Sequence, residues 1–316
     1  MADDTQSGVR VSIGELARRV GLPVRTIRFY CDEGILEAQR SPGGHRMFDA
    51  DSAVERLLLV RRLRALGLGL AAITGVLREE RSMAEVIAAE SARLDVELKT
   101  LAWRRAALRA VEAGAPASRA ERLALLAAAQ DGGAVHDRLV GFWRRVLAPL
   151  PRCDSDGWVG WNVPEPPADP SVDDVVAYAE LAALVTAPGM NSGVRQQYWR
   201  NRPERIRDGR ALYAAVGDVM VDVVPLVADG VRPRPGRELD RFVHVHADAR
   251  GQQDSPRFRE ELLGATVSDP RLHRYWALTA QFLGTRITVG QAHDWLLEAL
   301  GHSTGGIRTS ASRVRG

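Results

Sequence analysis

A chain of 316 residues is long enough for two domains of ordinary size, each with a core of its own. Its 45% hydrophobic and 26% charged residues are those of a soluble globular protein, and a net charge of +3 does not by itself argue for nucleic acid. Two cysteines, Cys31 and Cys153, cannot supply the thiolate cluster of a soft-metal or iron–sulfur centre, and a structural disulfide between them is not expected in a reducing compartment. With no run of about 18 apolar residues and no signal-peptide pattern, a cytoplasmic protein without a membrane partner is expected.

Residues 1–10 are polar and expected to be disordered. From Val11 the apolar residues Ile13, Leu16, Ala17 and Val20 recur at helical spacing and stop at Gly21, a natural residue just past a helix end. Pro23 suits the first turn of a second helix, so Pro23 to Asp32 reads as the recognition helix of a helix-turn-helix. Arg25, Thr26, Arg28 and Tyr30 on it suit phosphates, sugars and base edges, as does Arg18 on the helix before. Arg40-Ser-Pro-Gly-Gly-His-Arg46 then reads as a hairpin wing, with Arg40, His45 and Arg46 placed to fix register on phosphates. Asp49 or Asp51 can cap a helix to about Leu66 with Val54, Leu57, Leu58 and Leu63 inward, and Leu70 to Leu77 forms a short helix after Gly67-Leu-Gly69.

The order I-G-E-L-A, R-T-I-R-F-Y, G-I-L and G-G-H-R-M-F, spread over Val11 to about Leu77, resembles the winged-helix DNA-binding domain of the MerR family of bacterial transcription regulators. Cys31 stands where that family usually has an acidic residue. The resemblance implies a second wing from the helix pair, with Arg61, Arg62 and Arg64 facing DNA backbone, although a solvated face explains them equally. It also implies an antiparallel two-helix dimer and recognition of a promoter by bending and untwisting it, so that RNA polymerase is affected indirectly. The cysteine pattern of metal-sensing relatives is missing, so no metal trigger is expected.

From about Ser82 to Ala113 the pattern is helical without interruption, and Ile87, Leu94, Leu101 and Leu108 recur every seven residues with Leu98 between them. Residues 81–114 therefore read as a dimerisation helix, the competing reading being a core helix packed on its own C-terminal domain. Gly114-Ala-Pro116 ends it. Residues 118–300 carry helical patterns punctuated by proline and glycine, so the fold class expected is mostly α: a winged helix-turn-helix over 11–80, a coiled-coil helix, an all-α effector domain, and a flexible tail over 301–316. The stretch VHVHA at 243–247 could instead be a short strand.

Six of seven tryptophans lie from Trp143 onward. Trp143, Trp158, Trp161, Tyr198, Trp199, Tyr275 and Trp276 could line a cavity for a drug-like or metabolite effector, and Trp158 and Trp161 fall in what reads as a loop, Arg152 to Pro170. Taken singly, each is better explained by a core. His244-x-His246 with Asp248 meets on one face only in a strand, so no metal site is expected. The motifs GxSxG, GxxxxGK[ST] and HExxH are absent, so no enzyme and no cofactor are expected. The chain reads as a homodimeric, ligand-controlled reader of double-stranded promoter DNA; a C-terminal domain that docks a protein partner, or carries an enzymatic activity, is the alternative.

Overall fold

The computed structural model describes residues 9–199, 203–265, 269–284 and 286–305. Most of the expected disordered start (1–8 of 1–10) and most of the expected tail (306–316 of 301–316) lie outside the described residues, but Arg10, placed in that start, is in a strand, paired across it with Asp49. The chain divides into two units, Met1–Leu98 and Lys99–Gly316.

In the first unit, strand β1 (Arg10–Ser12) runs into helix α1 (Ile13–Val20), where the Ser12 hydroxyl accepts from the Glu15 N–H at 3.3 Å. Gly21 ends α1 at φ 65°, a left-handed conformation open to glycine at little cost, and this bend delivers α2 (Val24–Asp32). Leu16, Val20 and Ile27 bury the inner faces of the two helices with Leu36, Phe48 and Leu57. Strands β2 (Gln39–Arg40) and β3 (Arg46–Asp49) form the wing, antiparallel in the order β1-β3-β2, with Val11 opposite Phe48 and Arg40 opposite Arg46. Asp49 is the residue that caps α3 (Ala50–Ala65), accepting from the Ser52 N–H at 3.0 Å. Its buried face is Ala50, Ala53, Leu57, Val60 and Leu63, with Val54 and Leu58 only partly covered. Helix α4 (Leu70–Leu77) packs on α3 through Ile73.

Helix α5 (Met83–Ala113) begins at a reciprocal cap: the Glu85 N–H donates to the Ser82 hydroxyl at 3.1 Å, and the Ser82 N–H donates back to the Glu85 carboxylate at 2.8 Å. Those bonds hold the Glu85 carboxyl below its usual range. The faces of this helix differ in burial. Trp103, Ala106 and Ala110, spaced three and four apart, are buried in the second unit's core. Ile87, Leu94, Leu98, Leu101 and Leu108 are 40–63% exposed. The division falls between Leu98 and Lys99, inside α5, and not near Gly114, because the C-terminal half of α5 carries Trp103, Ala106 and Ala110 into the second unit's core.

The second unit holds α6 (Arg119–Ala127), α7 (Gly132–Val146), α8 (Arg152–Asn162), α9 (Val172–Thr186), α10 (Met190–Tyr198), α11 (Gly209–Ala228), α12 (Arg237–Asp248), α13 (Pro256–Gly264), α14 (Pro270–Leu283) and α15 (Val289–Ser303). Its larger core gathers α7, α9, α10 and α14 around Trp143 and Tyr178; a second gathers α11, α12, α13 and α15 around Val219, Phe242 and Leu296. The first half of the expected 152–170 loop is helical, and α15 extends to Ser303, past the expected end at 300. VHVHA lies in α12, so His244 and His246 diverge: His246 is buried against Phe242, ring centroids 4.6 Å apart, while His244 is exposed. Helix α11, although Asp218 and Asp222 interrupt its apolar run, is long and apolar enough by length and composition alone to cross a membrane. It packs on α12 and α15 instead, with Val219 and Val223 buried and Asp222 paired to Arg241 of α12.

One close approach fixes the α14–α15 contact. A Cβ on Gly290 would stand 2.1 Å from Cγ and 2.2 Å from Cδ1 of Trp276, over the face of a ring locked against Trp143. Gly290→Ala is expected to destabilise the second unit by about 3 kcal/mol, read from urea unfolding followed by tryptophan fluorescence. An unchanged midpoint would mean that the ring can yield.

Candidate nucleic-acid interface

The outward face of α2 carries Arg25, Arg28 and Phe29, at spacings of three and four that align them on one side of the helix. Arg25 and Arg28 are exposed, and Phe29 keeps 48% of its surface in solvent although its ring lies 6.0 Å from that of Tyr30. Thr26 is half-buried beside this face. Tyr30 turns inward and packs against both hydrophobic clusters of the unit, while its carbonyl accepts from the N–H groups of Ile35 and Leu36. Phe29 was missed in the sequence reading. The signal for it was its position four residues after Arg25.

The wing tip is a tight turn in which the Gly44 N–H donates to the Ser41 carbonyl at 2.8 Å and the His45 N–H to the Ser41 hydroxyl at 3.2 Å. This leaves Arg40 and His45 exposed at its edge. Arg46 does something further: its guanidinium donates to Asp32 at 3.1 Å, tying β3 to the end of α2. Cys31 sits half-buried beside this pair; burial pushes its thiol pKa up, against the pull of the Arg46 charge. Arg18 is exposed and paired with Glu15, which also takes Arg19 at 3.3 Å. Of the second helix pair, Arg61 and Arg62 are exposed, whereas Arg64 donates to the Leu68 carbonyl at 2.7 Å and closes the α3–α4 turn. The arrangement offers a row of permanently charged guanidiniums and one aromatic ring on a helix narrow enough for a major groove, flanked by a charged hairpin.

The aromatic residues of the second unit are gathered, but around each other. Trp143 lies 4.4 Å from Trp158, 5.4 Å from Tyr275 and 5.3 Å from Trp276, centroid to centroid, and its indole N–H donates to the Tyr275 hydroxyl at 2.6 Å. Burial pushes the Tyr275 hydroxyl's pKa far above its usual value, so it stays a neutral partner. Trp199 is buried and donates to the Val146 carbonyl at 3.2 Å. Trp161, by contrast, is 50% exposed, and the side chain of Tyr198 lies outside the described residues. Trp103, left out of the aromatic group in the sequence reading, packs edge-on to Tyr178 at 5.5 Å and donates to the Ala129 carbonyl at 2.9 Å. No group of three His, Cys, Asp or Glu side chains suited to a metal ion occurs among the described residues.

A family model described as MerR HTH family regulatory protein matches residues 11–80. Among curated proteins, nodulation protein NolA of Bradyrhizobium elkanii is 34% identical over 115 residues, 36% of this chain and 52% of the relative. NolA of Bradyrhizobium diazoefficiens is 37% identical over 90 residues, 28% of this chain and 38% of the relative. The HTH-type transcriptional regulator HmrR of Rhizobium leguminosarum bv. viciae is 40% identical over 57 residues, 18% of this chain and 43% of the relative. The chain thus spans about half, or less, of the length of these relatives. No solved structure matches it. Residues 11–80 are a helix-turn-helix domain of the MerR family.

Proposed function

We propose that the protein is a homodimeric, sequence-specific transcription regulator that binds and distorts double-stranded promoter DNA in the cytoplasm and acts on RNA polymerase only through that distortion. The observation that carries this reading is the outward face of α2, with Arg25, Arg28 and Phe29 exposed beside the charged wing inside the matched domain. A two-fold dimer then requires a pseudopalindromic operator. Footprinting of the full chain on promoter DNA tests it: protection is expected over two symmetric half-sites. Protection without two-fold symmetry, or none on any promoter fragment, overturns it.

Arg28→Ala is expected to weaken operator binding by about 1–3 kcal/mol, measured by titration at fixed salt. Arg46→Ala should cost a similar amount and also free the wing from α2, because it removes the Asp32 pair. Full affinity in both variants would rule out this docking.

The second unit is read as the effector domain, switched by a drug-like or metabolite small molecule that binds two dimer shapes unequally. Supporting this are the aromatic cluster around Trp143 and the polar side chains Ser155, Asn162, Thr279 and Thr288 buried within the same unit. Titration of tryptophan fluorescence with cationic and polycyclic antibiotics tests it. One observation favours a protein partner instead: Trp161 presents half of its surface to solvent on α8.

A further inference from the structure

The exposed seam of α5 carries a charge pattern that discriminates among the ways a second copy can lie on it. With Ile87, Leu94, Leu101 and Leu108 in one core position of the seven-residue repeat, Ser91, Leu98 and Arg105 occupy the other. Glu90, Glu97 and Arg104 flank one edge of that seam; Ala88, Asp95, Ala102 and Arg109 flank the opposite edge.

A parallel pair stacks each core residue on its own counterpart and sets one edge against the opposite edge of the second copy. Arg105 then meets Arg105 inside the seam, Glu90 meets Asp95, and Arg104 meets Arg109. Like charges so placed oppose association. An antiparallel pair instead sets the first core position against the second and each edge against itself. Two antiparallel registers, one repeat apart, keep most of α5 in contact. In one, Leu94 faces Leu98 of the second copy, but Glu97 and Asp95 each face their own counterparts across the two-fold axis. In the other, the axis passes between Lys99 and Thr100, Leu98 faces Leu101, and Glu97 lies beside Arg104, twice by symmetry. No like charges meet there.

Intrahelical contacts leave this ranking unchanged. Arg93 binds both Glu90 and Glu97, serving the two antiparallel registers equally. The awkward core residue, Arg105, has its guanidinium held by Asp169 at 2.7 Å, so its aliphatic stem can cover Leu94 of the second copy while its charge stays in water.

We infer that the antiparallel pair of α5 helices takes the register that places Leu98 against Leu101 and Glu97 beside Arg104. The inference rests on the homodimer proposed above and on the antiparallel arrangement the family resemblance implies, and adds the register and the residues that select it. Sedimentation equilibrium of the full chain at low salt, where surface pairs are least screened, tests it. Glu97→Arg and Arg104→Glu should each raise the dimer Kd about tenfold, since each turns two attractions into two repulsions. The double variant Glu97→Arg/Arg104→Glu should return to within about twofold of the starting value, whereas Glu90→Arg/Arg104→Glu should not. Circular dichroism establishes that each variant keeps its helix content. Recovery in the Glu90 double variant alone assigns the other register and overturns this one, with the dimer intact. An unmoved Kd in both single variants also overturns it. A chain that stays monomeric at every concentration removes the dimer reading, and the register with it.

Discussion

Replacing Trp143 by alanine is expected to destabilise the second unit by about 4 kcal/mol, close to the full stability of many domains. The indole is fully buried at the centre of the larger core, in ring contact with Phe142, Trp158, Tyr275 and Trp276. Truncation removes its transfer free energy, opens a cavity that four packed rings cannot collapse into, and takes away the N–H that the Tyr275 hydroxyl accepts. Urea unfolding monitored by circular dichroism measures the loss. The result also separates the two roles that an aromatic cluster can have. A core residue lowers the midpoint of unfolding whether or not an effector is added. A residue that chiefly lines an effector site leaves the midpoint near its starting value and abolishes the fluorescence response to ligand. For Trp143 the first outcome is expected; Trp161, half in solvent, is the residue at which the second can be sought.

The first unit was legible because its instructions are local. Apolar spacing in α1, the glycine that ends it and the Pro-Gly-Gly wing tip each fix a few neighbouring residues, and the cap at Asp49 follows within a short span, whereas β1 was not read because its pairing with β3 spans about forty residues. The recognition helix was legible too, but its exposed face was only partly so. Phe29 and Tyr30 are adjacent aromatics, and which one turns outward depends on the angle at which α2 packs on α1 and α3. Helix α8 was hidden by polar residues in its buried face: Ser155, Trp158, Val159 and Asn162 fall at helical spacing, yet two of the four are hydrophilic. Ser155 donates to the Arg152 carbonyl at 3.0 Å, and Asn162 donates to the Trp158 carbonyl at 3.0 Å while accepting from the Val289 N–H of α15 at 3.3 Å, so polar side chains fill the buried positions and no hydrophobic period announces the helix. The same holds for α12, where buried His246 stands where a pattern reader looks for an aliphatic residue. The aromatic residues were found, but composition cannot tell rings that line a cavity from rings that fill one. That depends on contacts between residues as far apart as Trp143 and Tyr275.

Helix α5 gives the sharpest test, because its two faces predict opposite failures. Leu101 is 59% exposed, so Leu101→Asp should leave each protomer folded with its unfolding midpoint nearly unchanged. In a two-fold dimer the same change removes two buried leucines and sets a carboxylate in the seam beside Leu98. At about 1.5–3 kcal/mol for each leucine, the dimer should weaken by about 3–6 kcal/mol, enough to make the chain monomeric at micromolar concentration. Operator affinity should fall with it, since a single recognition helix reads only one half-site. Ala106 lies on the opposite face, buried against the second unit's core. Ala106→Asp should therefore do the reverse, placing a charge in that core and unfolding the unit before association is affected. Sedimentation equilibrium and urea unfolding on both variants separate the outcomes. If Leu101→Asp lowers stability and leaves association intact, the exposed leucines of α5 serve something other than a second copy. If association is lost at unchanged stability, the spacing between two DNA-reading helices is set by a leucine seam that makes no contact with DNA.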